Sequence, residues 1–204
     1  MSTLRVHRGS PRLFENNVLE RLSHVHPTTP PLIFVPAVAL LLYAAALIHR
    51  IPLPALLWQI AIGYLAWTLF EYWLHRLLFH LPVYGPISER IYFYLHGVHH
   101  DWPWDTSRLV MPPVVSMSVG LLFYSLSCRI LGPEQAHGFL AGFFVGYLIY
   151  DTVHWYTHAG HPKGQLFKFL RQQHLMHHFR APHTRFGVSC PWWDIVFRTR
   201  CQEP

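Results

Sequence analysis

Ten of the chain's 17 histidines fall into four clusters, and this pattern constrains the fold more than any other feature of the sequence. His75 and His80 are spaced H-x4-H, and His154 and His158 H-x3-H. His96, His99 and His100 form H-x2-H-H, as do His174, His177 and His178. Residues three and four apart share a helix face, so each of the last three clusters can direct several ring nitrogens at one point. The pattern reads as metal ligation. The duller alternative, histidines capping or hydrogen-bonding within helix ends, does not explain four such clusters in one chain. His75 and His80, five apart, stand about 140° apart on a regular helix and converge only if the helix ends or bulges near Leu81 and Pro82. Ten imidazoles exceed the four ligands of a tetrahedral zinc and suit two metals with about five nitrogens each.

Composition decides what surrounds these clusters. The chain of 204 residues is 51% hydrophobic, 16% aromatic and only 13% charged, against about 25% charged in soluble proteins. That is the balance of a membrane protein. The net charge of +6 comes from basic residues scattered among apolar runs, which fits anionic lipid headgroups and not nucleic acid. Cys128, Cys190 and Cys201 form no paired framework, so neither disulfides nor a zinc ribbon is indicated.

Taken in order, residues 1–30 are polar, carry Arg5, Arg8, Arg12 and Arg21, and read as a cytosolic arm without a cleavable signal. Residues 31–204 read as one membrane-embedded domain. Pro31 to Ile48 is uncharged over 18 residues, enough to cross roughly 27 Å as a helix. Further spans are expected at about 55–74, 109–131 and 138–158, with a cytosolic cap formed by 76–108 and 159–204. The expected fold is an all-α integral membrane protein with four transmembrane helices and a cytosolic helical cap holding a histidine-rich dimetal site.

Topology supplies an independent check. Each pair of spans returns the chain to its starting side, so all four clusters fall on one face. That face also carries 14 of the 16 Lys and Arg residues, leaving Arg50 and Arg129 in the opposite turns. The positive-inside rule makes it cytosolic, in a bacterial inner membrane or the endoplasmic reticulum.

The motifs also resemble a known family. Glu71 through His80, His96 through Pro113, Tyr150 through His154, and Phe186-Gly-Val-Ser are similar to the fatty acid hydroxylase superfamily. The run from Arg108 to Pro113 looks most like the fatty acid 2-hydroxylases. The resemblance covers roughly residues 55–200 and implies that His75, His80, His96, His99, His100, His154, His158, His174, His177 and His178 hold a dimetal centre. It implies O2-dependent hydroxylation beside the carboxyl of a free or sphingolipid-bound acyl chain. Relatives act on sterols, carotenoids, alkylglycerols and ornithine lipids. The 30-residue arm is too short for the cytochrome b5 domain that eukaryotic members often carry, so a separate electron-transfer protein, of cytochrome b5 or ferredoxin type with its reductase, is expected.

Attack on an apolar C–H bond needs a redox metal, which points to two iron ions; zinc has no redox states but can replace iron in the purified protein. Glu71, one turn before His75, and Asp151, three residues before His154, are placed to accept a ligand ring N–H and fix its orientation. Asp101 and Asp105 are similar candidates. Trp102, Trp104 and Arg108 are candidate substrate contacts; interface anchoring and a snorkelling arginine are the duller readings. His161 and His183 read as structural or substrate-contacting, and His7, His24, His26, His49 and His137 as surface residues. A desaturase on the same scaffold fits these motifs as well. A metal transporter fits less, because the first and third spans contain no His, Asp or Glu.

Overall fold

A computed structural model describes residues 7–200, and all the regular secondary structure among them is helical. Arg5 and Cys201 lie outside the described residues. Helix α1 (Asn17–Ser23) starts where the Asn16 side chain accepts from the amides of Val18 and Leu19, an ordinary N-cap. Helix α2 (Thr29–Tyr43) continues through a π-turn, Ala44–Ile48. A short turn leads to α3 (Leu53–Trp73), which ends in a second π-turn, Leu74–Phe79. The cap begins with α4 (Pro86–Tyr92), a third π-turn (Phe93–Gly97) and the single turn α5 (Val98–Asp101). Helices α6 (Pro113–Leu131) and α7 (Pro133–Ala159) form the second hairpin. The chain finishes with α8 (Gln165–Phe179) and the short α9 (Trp192–Val196).

Three stretches, Thr29–Ile48, Leu53–Phe79 and Thr106–Leu131, are long and apolar enough to cross a membrane. Their outward side chains, such as Leu40, Trp58, Leu65 and Leu121, are exposed leucines and aromatics that water would not tolerate as a continuous girdle. The protein is an integral membrane protein. Helix α7 has 27 residues and is less apolar. It is the centre of the bundle, packed on α3, α2 and α6, so its polar side chains point inward.

Close approach explains how α7 takes that position. Gly138, Gly142 and Gly146 recur every fourth residue along the side facing α3. A Cβ on Gly142 would overlap the Ile60 carbonyl. In lipid, where hydrophobic burial cannot drive helix association, such backbone contact is the usual adhesive. Aromatic rings fill the rest: Trp67 meets Phe143 edge-on at 5.1 Å, and Phe34 meets Tyr147 at 4.8 Å.

Candidate metal centre

The π-turn at the end of α3 answers the spacing problem of the first cluster. Its hydrogen bond from the His80 amide to the His75 carbonyl spans five residues, so both rings come to one face. The rings lie 5.0 Å apart, centroid to centroid. The expected bulge lies within the helix end itself, before Leu81.

All ten histidines converge into two groups. His75, His80, His96, His100 and His177 form one, and His99, His154, His158, His174 and His178 the other; within each, the ligand nitrogens lie within 4.8 Å of one another. Each H-x2-H-H motif divides in the same way. The pair four apart stays together, His96 with His100 and His174 with His178, while the remaining ring, His99 or His177, crosses to the other group. The groups abut, with His100 stacked on His178 at 4.2 Å. Neither contains a carboxylate.

The nitrogen geometry fits metal ions. His75 Nδ1 donates to the Phe186 carbonyl at 2.6 Å, His154 Nδ1 to Leu109 at 2.7 Å, and His177 Nδ1 to Thr184 at 2.6 Å. A carbonyl only accepts, so these rings present Nε2 lone pairs inward. Yet Nε2 atoms face one another at 3.1 Å for His75 and His96, 3.0 Å for His80 and His177, 3.0 Å for His99 and His154, and 2.8 Å for His158 and His174. Nitrogens about 2.1 Å from one ion and at right angles to each other stand about 3.0 Å apart. The buried His100 Nε2 has no protein partner. The histidine clusters are thus able to bind metal. Burial, reinforced by neighbouring imidazoles, holds His96, His99, His100, His174, His177 and His178 well below the usual histidine pKa, and pushes His80 down to about 2. They are neutral at pH 7, the form a metal requires.

The carboxylates sit one step further out than expected. Glu71 and Asp151 accept no ring N–H among the described residues, because backbone carbonyls already occupy Nδ1 of His75 and His154. Glu71 instead takes the Ser189 amide at 2.7 Å and the Ser189 hydroxyl. Asp151 takes the Met111 amide and the Tyr147 hydroxyl, each at 3.3 Å. Each therefore anchors the segment whose carbonyl orients a histidine. Asp101 is partly buried beside the arm, where its carbonyl accepts from the His7 amide at 2.8 Å.

Asp105 and Arg108 belong to a different network. Arg108 reaches Asp105 at 2.8 Å, Glu20 at 2.7 Å and Ser10 at 2.6 Å, so its guanidinium is engaged within the protein. Trp102 stacks on His7 at 4.7 Å, and Trp104 lies 5.9 Å from His158. Neither tryptophan lines the apolar cavity described below. His137 is not a surface residue: it is buried between His49 and Tyr124. His183 lies 6.5 Å from His80.

Two features carried no signal that sequence reading used. Asp194 accepts from the Phe186 amide at 2.8 Å, the Gly187 amide at 2.9 Å and the Thr199 hydroxyl at 2.7 Å. Gly187 passes so close to Asp194 and the Cys190 carbonyl that a Cβ would not fit. The second is the arm. Leu13, Phe14, Leu19 and Leu22 form one wall of an apolar cavity of about 380 Å³ that ends on His96, His99 and His154. The recurring apolar residues of α1 were the available clue.

Comparison with known proteins agrees with this geometry. Residues 60–199 match the family model described as fatty acid hydroxylase. A dihydroceramide fatty acyl 2-hydroxylase of Arabidopsis thaliana is 36% identical over 93% of this chain and 79% of its own length. The fatty acid 2-hydroxylase of Rattus norvegicus is 34% identical over 94% of this chain, which spans 57% of that protein. The solved structure of full-length Scs7p, in which only the hydroxylase domain is visible, superposes with a TM-score of 0.87 at 34% identity, covering 95% of this chain and 73% of that one. The chain belongs to the fatty acid hydroxylase family.

Proposed function

We propose that the protein hydroxylates a lipid acyl chain with O2, at the 2-position of a fatty acid or of a sphingolipid N-acyl group, at a diiron centre. The observation that carries this reading is the apolar cavity ending on His96, His99 and His154, which joins both histidine groups. Its volume suits a small-ligand site, and its lining suits a hydrocarbon. The Arabidopsis and rat relatives are acyl 2-hydroxylases by name.

In this reading each group of five imidazoles holds one iron, and iron supplies the redox chemistry that lets O2 attack a C–H bond. The protein's own residues do the rest. Phe186, Leu109 and Thr184 carbonyls fix the tautomers of three ligands; Glu71, Asp151 and Asp194 hold those carbonyl segments in place. The arm and the start of α6 exclude water from the chain being oxidised. We further assign α7 as a fourth span, with the site on the cytosolic face, in a bacterial inner membrane or endoplasmic reticulum. A separate electron-transfer protein supplies the reducing equivalents, and zinc can occupy the site in purified material.

The test is lipid profiling of cells expressing the protein under 18O2. The expected product carries one labelled oxygen on the carbon beside the acyl carboxyl, and is absent with His158→Ala. A loss of two hydrogens without labelled oxygen would instead establish a desaturase.

A further inference from the structure

The face of α8 turned away from the histidines, with the loops at its two ends, is strongly cationic. From residue 152 to 193 the sequence contains no Asp or Glu, yet it includes Lys163, Lys168, Arg171, Arg180 and Arg185. Four of these cations, Lys163, Lys168, Arg171 and Arg180, line one open concavity of about 960 Å³. Arg171 donates to the Gly160 carbonyl at 2.7 Å and braces the loop, whereas Lys163, Lys168 and Arg180 are exposed.

The floor of the concavity leads inward. Phe179 lines it and stacks on Trp104 at 6.0 Å, with the rings inclined by 24°. Trp104 lies 5.9 Å from His158, and Phe179 itself lies 5.9 Å from His178. Two aromatic contacts therefore connect the basic surface to the second histidine group. A site for anionic lipid headgroups has no use for such a connection; a site for electron entry does.

We propose that this concavity docks an acidic one-electron carrier protein, whose electrons enter the second histidine group by way of Phe179 and Trp104. The inference rests on the oxygenase reading above. Insertion of one oxygen atom, RH + O2 + 2 H+ + 2 e− → ROH + H2O, consumes two electrons, so a haem or [2Fe–2S] carrier is oxidised twice per turnover. A cationic concavity steers an anionic partner and sets its orientation, and rim charges act mainly on association and its salt dependence.

The experiment uses the full chain, iron-loaded, in phosphatidylcholine nanodiscs, with the acidic haem domain of a cytochrome b5 and an acidic [2Fe–2S] ferredoxin as probes. Wild-type protein should bind at least one probe with an affinity that falls steeply with salt. The triple variant Lys163→Glu, Lys168→Glu, Arg180→Glu should weaken that Kd by about tenfold or more, while product from a single turnover driven by dithionite stays at the wild-type level. Phe179→Leu should slow oxidation of the carrier once it is bound, measured at saturating carrier concentration. An unchanged Kd in the triple variant overturns docking, as does a variant that, in a parallel assay with phosphatidylglycerol vesicles, loses only lipid binding. If wild-type protein reduced by dithionite makes no hydroxylated lipid, the oxygenase reading fails, whereas the Kd comparison still judges the docking surface.

Discussion

His154 donates through Nδ1 to the carbonyl oxygen of Leu109 across 2.7 Å, and this contact ties the central helix to the segment that enters α6. Two residues on, the Met111 amide is held by Asp151, one turn before His154 on α7. Ligand, orienting carbonyl and anchoring carboxylate therefore form a closed loop. Glu71, Ser189, Phe186 and His75 form a second loop at the other histidine group. Metal sites whose ligands are oriented by such partners lose affinity when the partners are removed.

Metal content gives the most direct prediction. Purified protein should contain about two transition-metal ions per chain, one for each group of five nitrogens. His177→Ala and His158→Ala, one from each group, should each lower the total toward one, measured by elemental analysis of folded protein. Full loading of both variants would show that the ligand groups are wrongly drawn.

Removing Asp194 should destabilise the fold before it affects the metal. Asp194→Ala leaves the buried Phe186 and Gly187 amides without acceptors, at a cost of about 3 kcal/mol. Thermal unfolding in detergent should shift down accordingly. Ser189→Ala removes one hydroxyl contact to Glu71 and should cost about 1 kcal/mol.

Helix packing can be tested at Gly142. Gly142→Leu places a branched side chain against the Ile60 backbone, so folded yield after detergent extraction should fall sharply. Leu121→Ala, on the outward face of α6, should leave it within about 0.5 kcal/mol of the parent.

Acid should weaken the metal-free protein in two steps. Buried histidines with lowered pKa values bind fewer protons folded than unfolded, so their contribution is complete above the unfolded histidine pKa and is lost as pH falls below about 6.5. For His80 the loss continues toward its folded value of about 2. At Glu20 burial acts in the opposite sense, but the Phe14 and Leu13 amides, His24 and Arg108 outweigh it and lower the pKa from 4.5 to about 2. The arm should therefore loosen only as pH falls from 4.5 toward 2. Chemical denaturation of the apo-protein between pH 8 and pH 3 checks the first step. Proteolysis of the arm at pH 3 checks the second, with Arg108→Leu expected to release the arm at neutral pH as well.

Much of this was written in the residue order. Uncharged runs of bilayer length announce helices that cross it, since an unpaired backbone cannot lie in hydrocarbon. Histidines spaced three and four apart announce shared faces, because that spacing is a property of a single helix. What the sequence could not decide was which ring joins which partner. His99 and His100 are neighbours in the chain yet belong to different groups, and His177 parts from His178 in the same way. That division depends on how α5 and α8 lie against α7, a relation between helices distant in sequence. The same holds for the carbonyls of Phe186 and Leu109, which displace Glu71 and Asp151 from the rings: any residue has a carbonyl, so only the path of the folded chain selects these two.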